Sequence, residues 1–432
     1  MVSKLEKNII KEMKVTHITT LDKSGAGRAA IRIVQALQSL KVNTVLLCLF
    51  CQLGLIDGIM RYVPKRNNLF KRILYRLGLR KRDYEQRAKL FSKYHVVDGM
   101  HWLHSDLRVD KHTTIKQADI IHLHWIDQMI DLSSFLKHTT QPIVWTLHDM
   151  GAFSGVCNYY YAYCSKFEQK CGACPALSSN IEDDLSRREW KMKYDLYRKH
   201  LQRLHIVTCS NWLADCARKS SLLCDADIQV IPNCIDIDVY KPTKKNKQDN
   251  VIRFMLGAVN AKDPNKGYER LQHIVNKFAS QVKQQIEVLV VGQNSEDLSF
   301  HENVIVKSFG FVEKDSDLAT IYNQADLLLY GSYRDNLPNM IMEAMACGVP
   351  VVAFPVGGIP DMIIHEKTGY LADTEEDYIH GIQWCLDNKE NLSIASRNKV
   401  LNDYHPMRVA NLYYQLYEKI DDRLCKIEKN KL

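Results

Sequence analysis

The sequence has 432 residues, of which 46% are hydrophobic and 25% charged, a composition typical of globular proteins and unlike that of disordered or fibrous chains. A chain of this length exceeds one ordinary hydrophobic core, so we expect two domains of about 200 residues each. The net charge of +8 permits an anionic partner but does not require one.

Composition also bears on where the protein works. Residues 1–14 are dotted with lysine and glutamate and lack the apolar core of a signal peptide. The longest apolar run, residues 45–51, is far short of the roughly 20 residues that a membrane-spanning helix needs. The thirteen cysteines are odd in number, and without an export signal they favour reduced thiols over a disulfide framework. We therefore expect a cytoplasmic protein.

The N-terminal residues have a strand–helix–strand pattern, with strands at 15–20 and 42–51 and a helix at 28–40. The first turn carries Gly25 and Gly27, whose backbone N–H groups can approach a phosphate or sugar closely. The same glycines fit a dinucleotide-binding fingerprint. That alternative is disfavoured, because the loop before Gly25 is too long and the second strand ends without an acid to hold a ribose.

Residues 61–93 hold twelve lysines and arginines against only two acids, Asp83 and Glu85. Leucines and other apolar residues recur between them at helical spacing, which predicts a basic amphipathic helix. Such a helix can contact an anionic lipid-linked substrate or the inner face of the plasma membrane. The alternative is a solvated helix whose apolar face packs on its own domain. No accompanying motif supports a nucleic-acid partner.

Two further apolar runs, residues 118–125 and 142–147, predict buried strands with histidines at or near their ends. His122 and His124 belong to the first run, and His148 directly follows the second. Ligands bind where the carboxyl ends of parallel strands meet, so we expect His148 to contact a ligand.

Four cysteines follow within eighteen residues: Cys157, Cys164, Cys171 and Cys174. The last pair has the spacing of a metal knuckle, and four thiolates can complete the tetrahedron of a structural zinc ion. The six residues between the first two are unusual for a zinc site. Reduced or pairwise oxidised cysteines that brace a long loop are therefore the alternative. No catalytic metal is indicated, and we expect no required cofactor.

A polar, lysine-rich linker after residue 242 predicts the domain boundary. Strands and helices alternate on both sides of it, which is typical of doubly wound parallel sheets. Residues 330–361 are the clearest unit of the second domain. A strand there leads through a polar loop to a helix that Pro338 opens and Gly348 ends, and a second strand and a glycine turn follow. Asp335 and Glu343 lie near the mouth of this unit.

These residues carry a resemblance to a known family. It is strongest in segments 335–339, 343–348, 357–361 and 368–371. On them the chain resembles the retaining glycosyltransferases of family 4, and residues 146–150 with the cysteines resemble a branch found in surface-polysaccharide assembly. The resemblance implies the α/β GT-B fold, with two facing, Rossmann-like, doubly wound parallel-sheet domains. Residues 1–242 would form the acceptor-side domain, 243–404 the donor domain, and 405–432 a helix that crosses back to the first.

The resemblance also implies roles for single residues. The family has two glutamates separated by seven residues, which are Asp335 and Glu343 here, so the first side chain is one methylene shorter. Glu343 would accept hydrogen bonds from the nucleotide ribose, and Asp335 would lie against the donor sugar. Lys266 would neutralise the donor diphosphate as it leaves. The arginine that the family often has five residues earlier is Ala261 here, so its role would fall to Lys262 or to another residue.

Further substrate contacts are implied in both domains. His148 would contact the transferred sugar. Backbone groups at two glycines would lie under the diphosphate and the acceptor, and amides of one helical turn would bind a phosphate. These residues are Gly25, Gly27, Asn339, Met340 and Ile341.

The implied function is transfer of a hexosyl group, with retention, from a nucleotide diphosphate sugar to an acceptor hydroxyl. The expected acceptor is a lipid-linked saccharide intermediate of capsule, exopolysaccharide or O-antigen synthesis. One alternative is a nucleotide-sugar epimerase of the same fold. Another is a non-enzymatic, zinc-braced membrane adaptor, which would leave Lys266, Asp335 and Glu343 without a role.

Overall fold

The computed structural model describes residues 13–54, 56–64, 83–96, 99–243, 250–260, 262–293 and 300–429. The chain divides into two compact units. The first comprises Met1–Thr208, Ala214–Ile231 and Ala410–Leu432, and the second comprises Cys209–Leu213 and Pro232–Val409. The last helix therefore starts in the second unit and continues in the first.

The first unit is built on a seven-stranded sheet in the order β3-β2-β1-β4-β5-β6-β7, in which every neighbouring pair is parallel. Because parallel neighbours need crossover connections, helices lie between most of the strands. The strands are β1 Lys14–Leu21, β2 Asn43–Phe50, β3 Ile59–Arg61, β4 Ile120–Leu123, β5 Ile143–Leu147, β6 Leu204–Thr208 and β7 Ile228–Val230. The helices up to the end of this sheet are α1 Gly25–Ser39, α2 Asp83–Phe91, α3 Thr113–Gln117, α4 Leu132–His138, α5 Leu185–His200 and α6 Asn211–Lys219.

Helix α1 shows how the sequence determines the first crossover. Ser24 is its N-cap, and the Ser24 hydroxyl accepts a hydrogen bond from the Gly27 N–H at 3.0 Å. Residues at helical spacing, among them Ala29, Ile33 and Leu37, are buried against the sheet. A Cβ on Gly27 would lie 2.0 Å from the Leu21 carbonyl oxygen, so only glycine lets the helix pack this closely on the end of β1.

The second unit has a six-stranded parallel sheet in the order β10-β9-β8-β11-β12-β13. Its strands are β8 Val251–Asn260, β9 Gln285–Gln293, β10 Val304–Ser308, β11 Leu327–Tyr330, β12 Val351–Ala353 and β13 Tyr370–Leu371. The remaining helices are α7 Tyr268–Ala279, α8 Asp315–Gln324, α9 Asn339–Ala346, α10 Ile359–Met362, α11 Glu375–Asp387, α12 Lys389–Asp403 and α13 Pro406–Lys429.

Both faces of the central strands of the second sheet are buried, which explains why those strands are mainly apolar, whereas the edge strand β10 is partly exposed. Met255 and Leu328 belong to one hydrophobic cluster, whereas Phe254, Leu327 and Leu329 belong to another. Successive residues of a strand point to opposite faces, so the two clusters cover the two sides of the sheet. The predicted pair of doubly wound, parallel-sheet domains is confirmed.

The predicted basic helix over residues 61–93 is wrong at its start. Arg61 ends the short strand β3. Of the residues in this segment that the structure describes, only Asp83–Phe91 is helical. Residues 65–82, which carry most of the positive charge, lie outside them. In the described part, the Arg87 guanidinium contacts Asp127 at 3.3 Å, and Phe91 packs edge-on against Trp102. This end of the segment packs on the domain, so a membrane role stays a prediction for the rest.

Within the described residues, no helix combines the length and the apolar character that crossing a bilayer requires.

The close contact at Gly27 predicts a specific loss of stability. Gly27→Ala should destabilise the first unit by about 1–3 kcal/mol, because the added methyl group forces α1 away from β1. Gly99→Ala is the matched control, since its Cβ would meet only the Asn158 side chain at an ordinary 3.6 Å. Urea unfolding of both variants measures the difference. Equal midpoints for Gly27→Ala and the wild-type protein would contradict this explanation of the glycine.

Candidate active site

Lys266 and Asp335 form an ion pair in the second unit. Lys266 ends the short 3₁₀ turn Pro264–Lys266 after β8, and Asp335 lies on the loop after β11. The Lys266 ammonium nitrogen is 2.8 Å from a carboxylate oxygen of Asp335, and both side chains are about one-fifth exposed. The Tyr330 hydroxyl donates to the same oxygen at 2.6 Å. Two of the four predicted catalytic residues are therefore in direct contact.

The loops that carry this pair are held together by backbone contacts. The Asn265 carbonyl oxygen accepts from the Ser332 hydroxyl at 2.9 Å and from the Tyr333 N–H at 2.7 Å. Gly267 has a φ of +64°, and a Cβ there would lie 2.0 Å from the Gly331 carbonyl oxygen. Glycine is thus required on both steric and conformational grounds. The spacing between Lys266 and Asp335 is set by the main chain.

Arg270, on the first turns of α7, supports the same loop from another side. Its guanidinium donates to the Gly331 carbonyl oxygen and lies 3.6 Å from the ring centroid of Phe354 and 4.1 Å from that of Tyr333. The Arg270 guanidinium therefore helps to hold the loop after β11 in place. Ala261, where the family often has an arginine, lies outside the described residues.

The glycine turn after β12 packs directly on the Asp335 loop. A Cβ on Gly357 would be 1.8 Å from the Asp335 carbonyl oxygen, and one on Gly358 would be 2.2 Å from the Asn336 carbonyl oxygen. The Asn336 side chain is itself buried and hydrogen-bonded to the Ser210 hydroxyl. The predicted strand–loop–helix–strand–glycine unit is therefore one packed body around Asp335.

Glu343 lies in the middle of α9, and only 3% of it is exposed. One of its carboxylate oxygens accepts a hydrogen bond from the Tyr322 hydroxyl at 3.1 Å. Burial, followed by the nearby Glu343 charge, raises the pKa of Tyr322 well above its usual value, so this phenol stays a donor. The structure gives Glu343 and Asp335 different hydroxyl donors.

The helix that carries Glu343 starts without a side-chain cap. Pro338 is its N-cap residue, and Asn339, Met340 and Ile341 form its first turn. The Ile341 N–H donates to the Pro338 carbonyl oxygen at 3.2 Å, and the helix dipole at this end favours negative charge. The start of α9 can therefore receive an anionic group.

In the first unit, His148 directly follows β5 and belongs to a chain of histidines. Its Nε2 is 3.3 Å from Nδ1 of His124, and Nε2 of His124 is 3.0 Å from Nδ1 of His17. His122 lies beside them, with Nδ1 2.6 Å from the Tyr417 hydroxyl and Nε2 2.7 Å from the Thr146 hydroxyl. The histidine cluster (His17, His122, His124 and His148) thus comes from β1, from β4 and the residue after it, and from the end of β5, and the last helix borders it through Tyr417.

Burial keeps the histidine cluster neutral at pH 7. It lowers the pKa of His148 to about 4 and that of His17 to about 3, and it lowers those of His122 and His124 well below 6.5. A neutral imidazole has one donor and one acceptor nitrogen. The hydrogen bonds along the chain therefore couple the tautomer of His148 to those of His124 and His17.

Ring nitrogens of His17, His122 and His124 lie within 4.8 Å of one another. Among the described residues, this is the one set of three or more potential metal ligands (histidine, cysteine, aspartate or glutamate) that is this close. Metal ligation needs ring planes that point at a common ion. The rings of His122 and His124 instead stack at 4.3 Å with 21° between their planes. Both nitrogens of His122 also have hydrogen-bond partners. The cluster is thus better described as a hydrogen-bonded network.

The two predicted glycine contacts have different settings. Gly25 starts α1 and is exposed. Gly27 is buried, and its N–H donates to the Ser24 hydroxyl as described above. In this structure that amide is therefore already used by the Ser24 cap. The four predicted metal-binding cysteines, Cys157, Cys164, Cys171 and Cys174, line one cavity of the first unit and form no disulfide.

Three supporting residues were missed by the sequence reasoning: Tyr330, Tyr322 and His17. Tyr330 ends β11 only five residues before Asp335, which was an available signal. His17 is the single titratable side chain in the buried middle of β1, and this was a second signal that the sequence offered. Tyr322 lies in α8 and Glu343 in α9, with β11 between them, and no local sequence pattern connects the two residues.

Sequence comparisons identify relatives across both units. Residues 23–239 match the model "Glycosyltransferase Family 4", and residues 240–400 match "Glycosyl transferases group 1". The chain is 29% identical over 216 residues to N-acetyl-alpha-D-glucosaminyl L-malate synthase of Bacillus anthracis, a match that covers 46% of this chain and 56% of that protein. It is 24% identical over 277 residues to the putative colanic acid biosynthesis glycosyl transferase WcaC of Escherichia coli, covering 61% and 65%. The chain spans about half the length of most of the curated relatives that it matches.

The fold is also that of solved glycosyltransferases. The crystal structure of Anabaena HepE in complex with UDP and glucose superimposes with a TM-score of 0.57 at 17% identity, covering 94% of this chain and all of that one. At this identity the likeness concerns the fold alone, and it supports the GT-B architecture.

The low pKa values of the histidine cluster predict a steep acid sensitivity. The unfolded chain binds protons near pH 6.5 and the folded chain does not, so stability is complete above pH 6.5 and is lost as the pH falls. Each buried histidine contributes up to about 1.4 kcal/mol per pH unit in that window. His17→Asn can keep a hydrogen bond to His124 but removes one proton, so the slope of unfolding free energy between pH 6 and pH 4 should fall by about this amount.

His273→Asn, which alters an exposed histidine of the second unit, is the control and should leave the slope unchanged. Urea unfolding over a pH series measures both slopes. Identical slopes for His17→Asn and the wild-type protein would show that His17 titrates normally.

Proposed function

The chain belongs to glycosyltransferase family 4, and from this premise we propose that it transfers a hexosyl group from a nucleotide diphosphate sugar to an acceptor hydroxyl, with retention of anomeric configuration. The observation that carries the proposal is the placement of Lys266 against Asp335, in the same packed body as the uncapped start of α9. A cation and a helix N-terminus are both groups that favour binding of a diphosphate.

The names of similar proteins support the substrate classes. The Escherichia coli relative is named for colanic acid biosynthesis, and the Anabaena structure holds UDP and glucose. We therefore propose a nucleotide diphosphate sugar as donor and a saccharide as acceptor. A lipid-linked saccharide intermediate of surface polysaccharide synthesis is the acceptor most consistent with the first of these names.

On the donor side, the Lys266 ammonium would turn from Asp335 to the diphosphate and offset the charge that develops as the glycosidic bond breaks. Such placed charges are commonly the largest contribution to catalysis of group transfer. Amides of Asn339, Met340 and Ile341 would bind a phosphate oxygen at the helix start. The released Asp335 carboxylate would accept a hydroxyl of the donor sugar, and Tyr330 would keep it oriented.

Glu343 would hold the nucleotide by accepting hydrogen bonds from the ribose hydroxyls. One of its oxygens is already held by Tyr322, so the carboxylate is fixed before the nucleotide binds. A group that is held in place loses little conformational entropy on binding, which favours affinity.

His148 would contact the transferred sugar from the first unit. Because the imidazole is neutral, it can donate or accept a hydrogen bond with a sugar hydroxyl without carrying charge into the site. His124 and His17 would act as positioning residues, since they set the tautomer of His148 through the hydrogen-bond chain.

We propose a front-face displacement, since none of the site's side chains that the structure describes is an evident nucleophile. The acceptor oxygen forms a bond to the anomeric carbon on the face from which the diphosphate leaves. The carbon–oxygen bond to the diphosphate breaks, its electron pair stays on the diphosphate, and a diphosphate oxygen takes the acceptor proton. No cofactor is required for this balance.

Lys266 and Glu343 should affect different kinetic constants. Lys266→Ala should lower kcat by about 10²- to 10³-fold, because the stabilised charge develops in the transition state. Glu343→Gln should raise the KM for the donor by roughly 10- to 100-fold, because it weakens hydrogen bonds made to a charged acceptor. Lys277→Ala, which removes an exposed cation on α7, is the control and should change neither constant. Unchanged activity of both site variants would refute the site assignment.

The stereochemistry gives an independent test. NMR of the glycosylated product should show the anomeric configuration of the donor. An inverted product would exclude the front-face mechanism. Recovery of an epimerised nucleotide sugar, without transfer to the acceptor, would instead identify the epimerase alternative.

A further inference from the structure

The segment that follows β5 is long and almost without regular structure. From His148 to Asp184 it is described throughout, and its only helical elements are the 3₁₀ turns Lys166–Glu168 and Pro175–Leu177. Irregular loops longer than about 15 residues are uncommon in compact domains unless something else orders them. This loop also starts at a proposed substrate contact, so its order matters to the site.

Four cysteines of this loop surround one small cavity. The cavity has a volume of about 30 Å³, enough for a single water-sized body, and its lining includes Cys157, Cys164, Cys171 and Cys174. The thiols of Cys157 and Cys174 are hydrogen-bonded to each other. Cysteines up to seventeen residues apart in the sequence thus line the same cavity.

The main chain around the cavity offers donors to sulfur. The Gly155 N–H donates to the Cys171 sulfur at 3.1 Å, and the Ala176 and Leu177 N–H groups donate to the Cys174 sulfur. Hydrogen bonds to a thiolate favour it over the neutral thiol. The N–H donors therefore favour negative charge at the Cys171 and Cys174 sulfur atoms, against burial, which raises the pKa of the Cys171 thiol.

Two lysines add positive charge to the same loop. Lys193 is only 1% exposed and donates to the Gly151, Ser154 and Gly155 carbonyl oxygens, at 2.6, 2.9 and 2.9 Å. Lys166 donates to the Gly172 carbonyl oxygen at 2.9 Å, within the C-x-x-C turn. A buried ammonium is costly unless nearby negative charge compensates it, and the neighbours that do so for Lys193 are first Glu189 and then Cys171 and Cys157.

We propose that Cys157, Cys164, Cys171 and Cys174 bind one structural Zn²⁺ ion. Four thiolates form a closed tetrahedral site with zinc, and its net charge of about −2 would be compensated by the two lysines and the N–H donors. No three of the four sulfur atoms all lie within 4.8 Å of one another. Zinc–sulfur bonds of about 2.3 Å would require separations of about 3.8 Å, so binding would draw the side chains inward and close the cavity.

The consequence for the fold is a crosslink just behind His148. Zinc would join the start and the middle of the loop, and the Met150 N–H already donates to the Asn158 carbonyl oxygen next to Cys157. The ion would act on the position of the β5 end and would take no part in the reaction. This inference does not rest on the proposed function.

The test is the metal content of the purified full-length protein by mass spectrometry. We expect about one zinc per chain, lost in Cys171→Ser and in Cys174→Ser. Cys224→Ser, which alters an exposed cysteine outside the cavity, is the control and should retain the metal. Because the two site variants can fail to fold, the wild-type protein should also be reconstituted with Co²⁺, whose visible absorption bands report tetrahedral thiolate ligation.

Three results would overturn the proposal. One is a wild-type protein without zinc that also shows no cobalt–thiolate absorption. Another is mass spectrometric evidence of a disulfide between two of the four cysteines in protein purified under reducing conditions. The third is iron with inorganic sulfide in place of zinc, which would identify a cluster on the same thiolates.

Discussion

The donor half of the proposed site depends on one ion pair and on the close main-chain packing that sets it. Lys266 and Asp335 come from loops after different strands, and their contact is possible because Gly267, Gly331 and Gly357 leave room for backbone against backbone. A partly exposed pair contributes little to stability. Its value lies in position, because the pair keeps the Lys266 ammonium in place until, in our proposal, it turns from Asp335 to the diphosphate.

The first unit contains a polar network inside its parallel sheet, the histidine cluster. Neutral histidines can share hydrogen bonds without the large cost of burying a charge. The register that places His17 of β1 opposite His122 of β4 brings them together, and hydroxyl groups of Thr146 and Tyr417 satisfy the remaining nitrogens of His122. His148 is thus attached to a network whose protonation is set by burial.

Much of this could be predicted from the sequence, because continuous apolar strands and capped helices are local patterns. The Asp335 loop, the α9 helix and its glycine end were predicted in the right order for that reason. Contacts between distant residues were not predictable in the same way. The pairing of Lys266 with Asp335 depends on β8 and β11 being neighbours, and the histidine cluster depends on β4 lying between β1 and β5. The basic segment was misjudged at Arg61, where charge periodicity resembled a helix but the residue completes an edge strand.

The most direct test of the account is a binding cycle on Lys266 and Asp335 with nucleoside diphosphates as probes, measured by calorimetry. If Lys266 must leave Asp335 to hold the diphosphate, Asp335→Asn should bind the nucleoside diphosphate more tightly than the wild-type protein. That gain should disappear in the Lys266→Ala background, where no cation is released. An equal gain in both backgrounds, or no gain in either, would contradict the role that we assign to this ion pair.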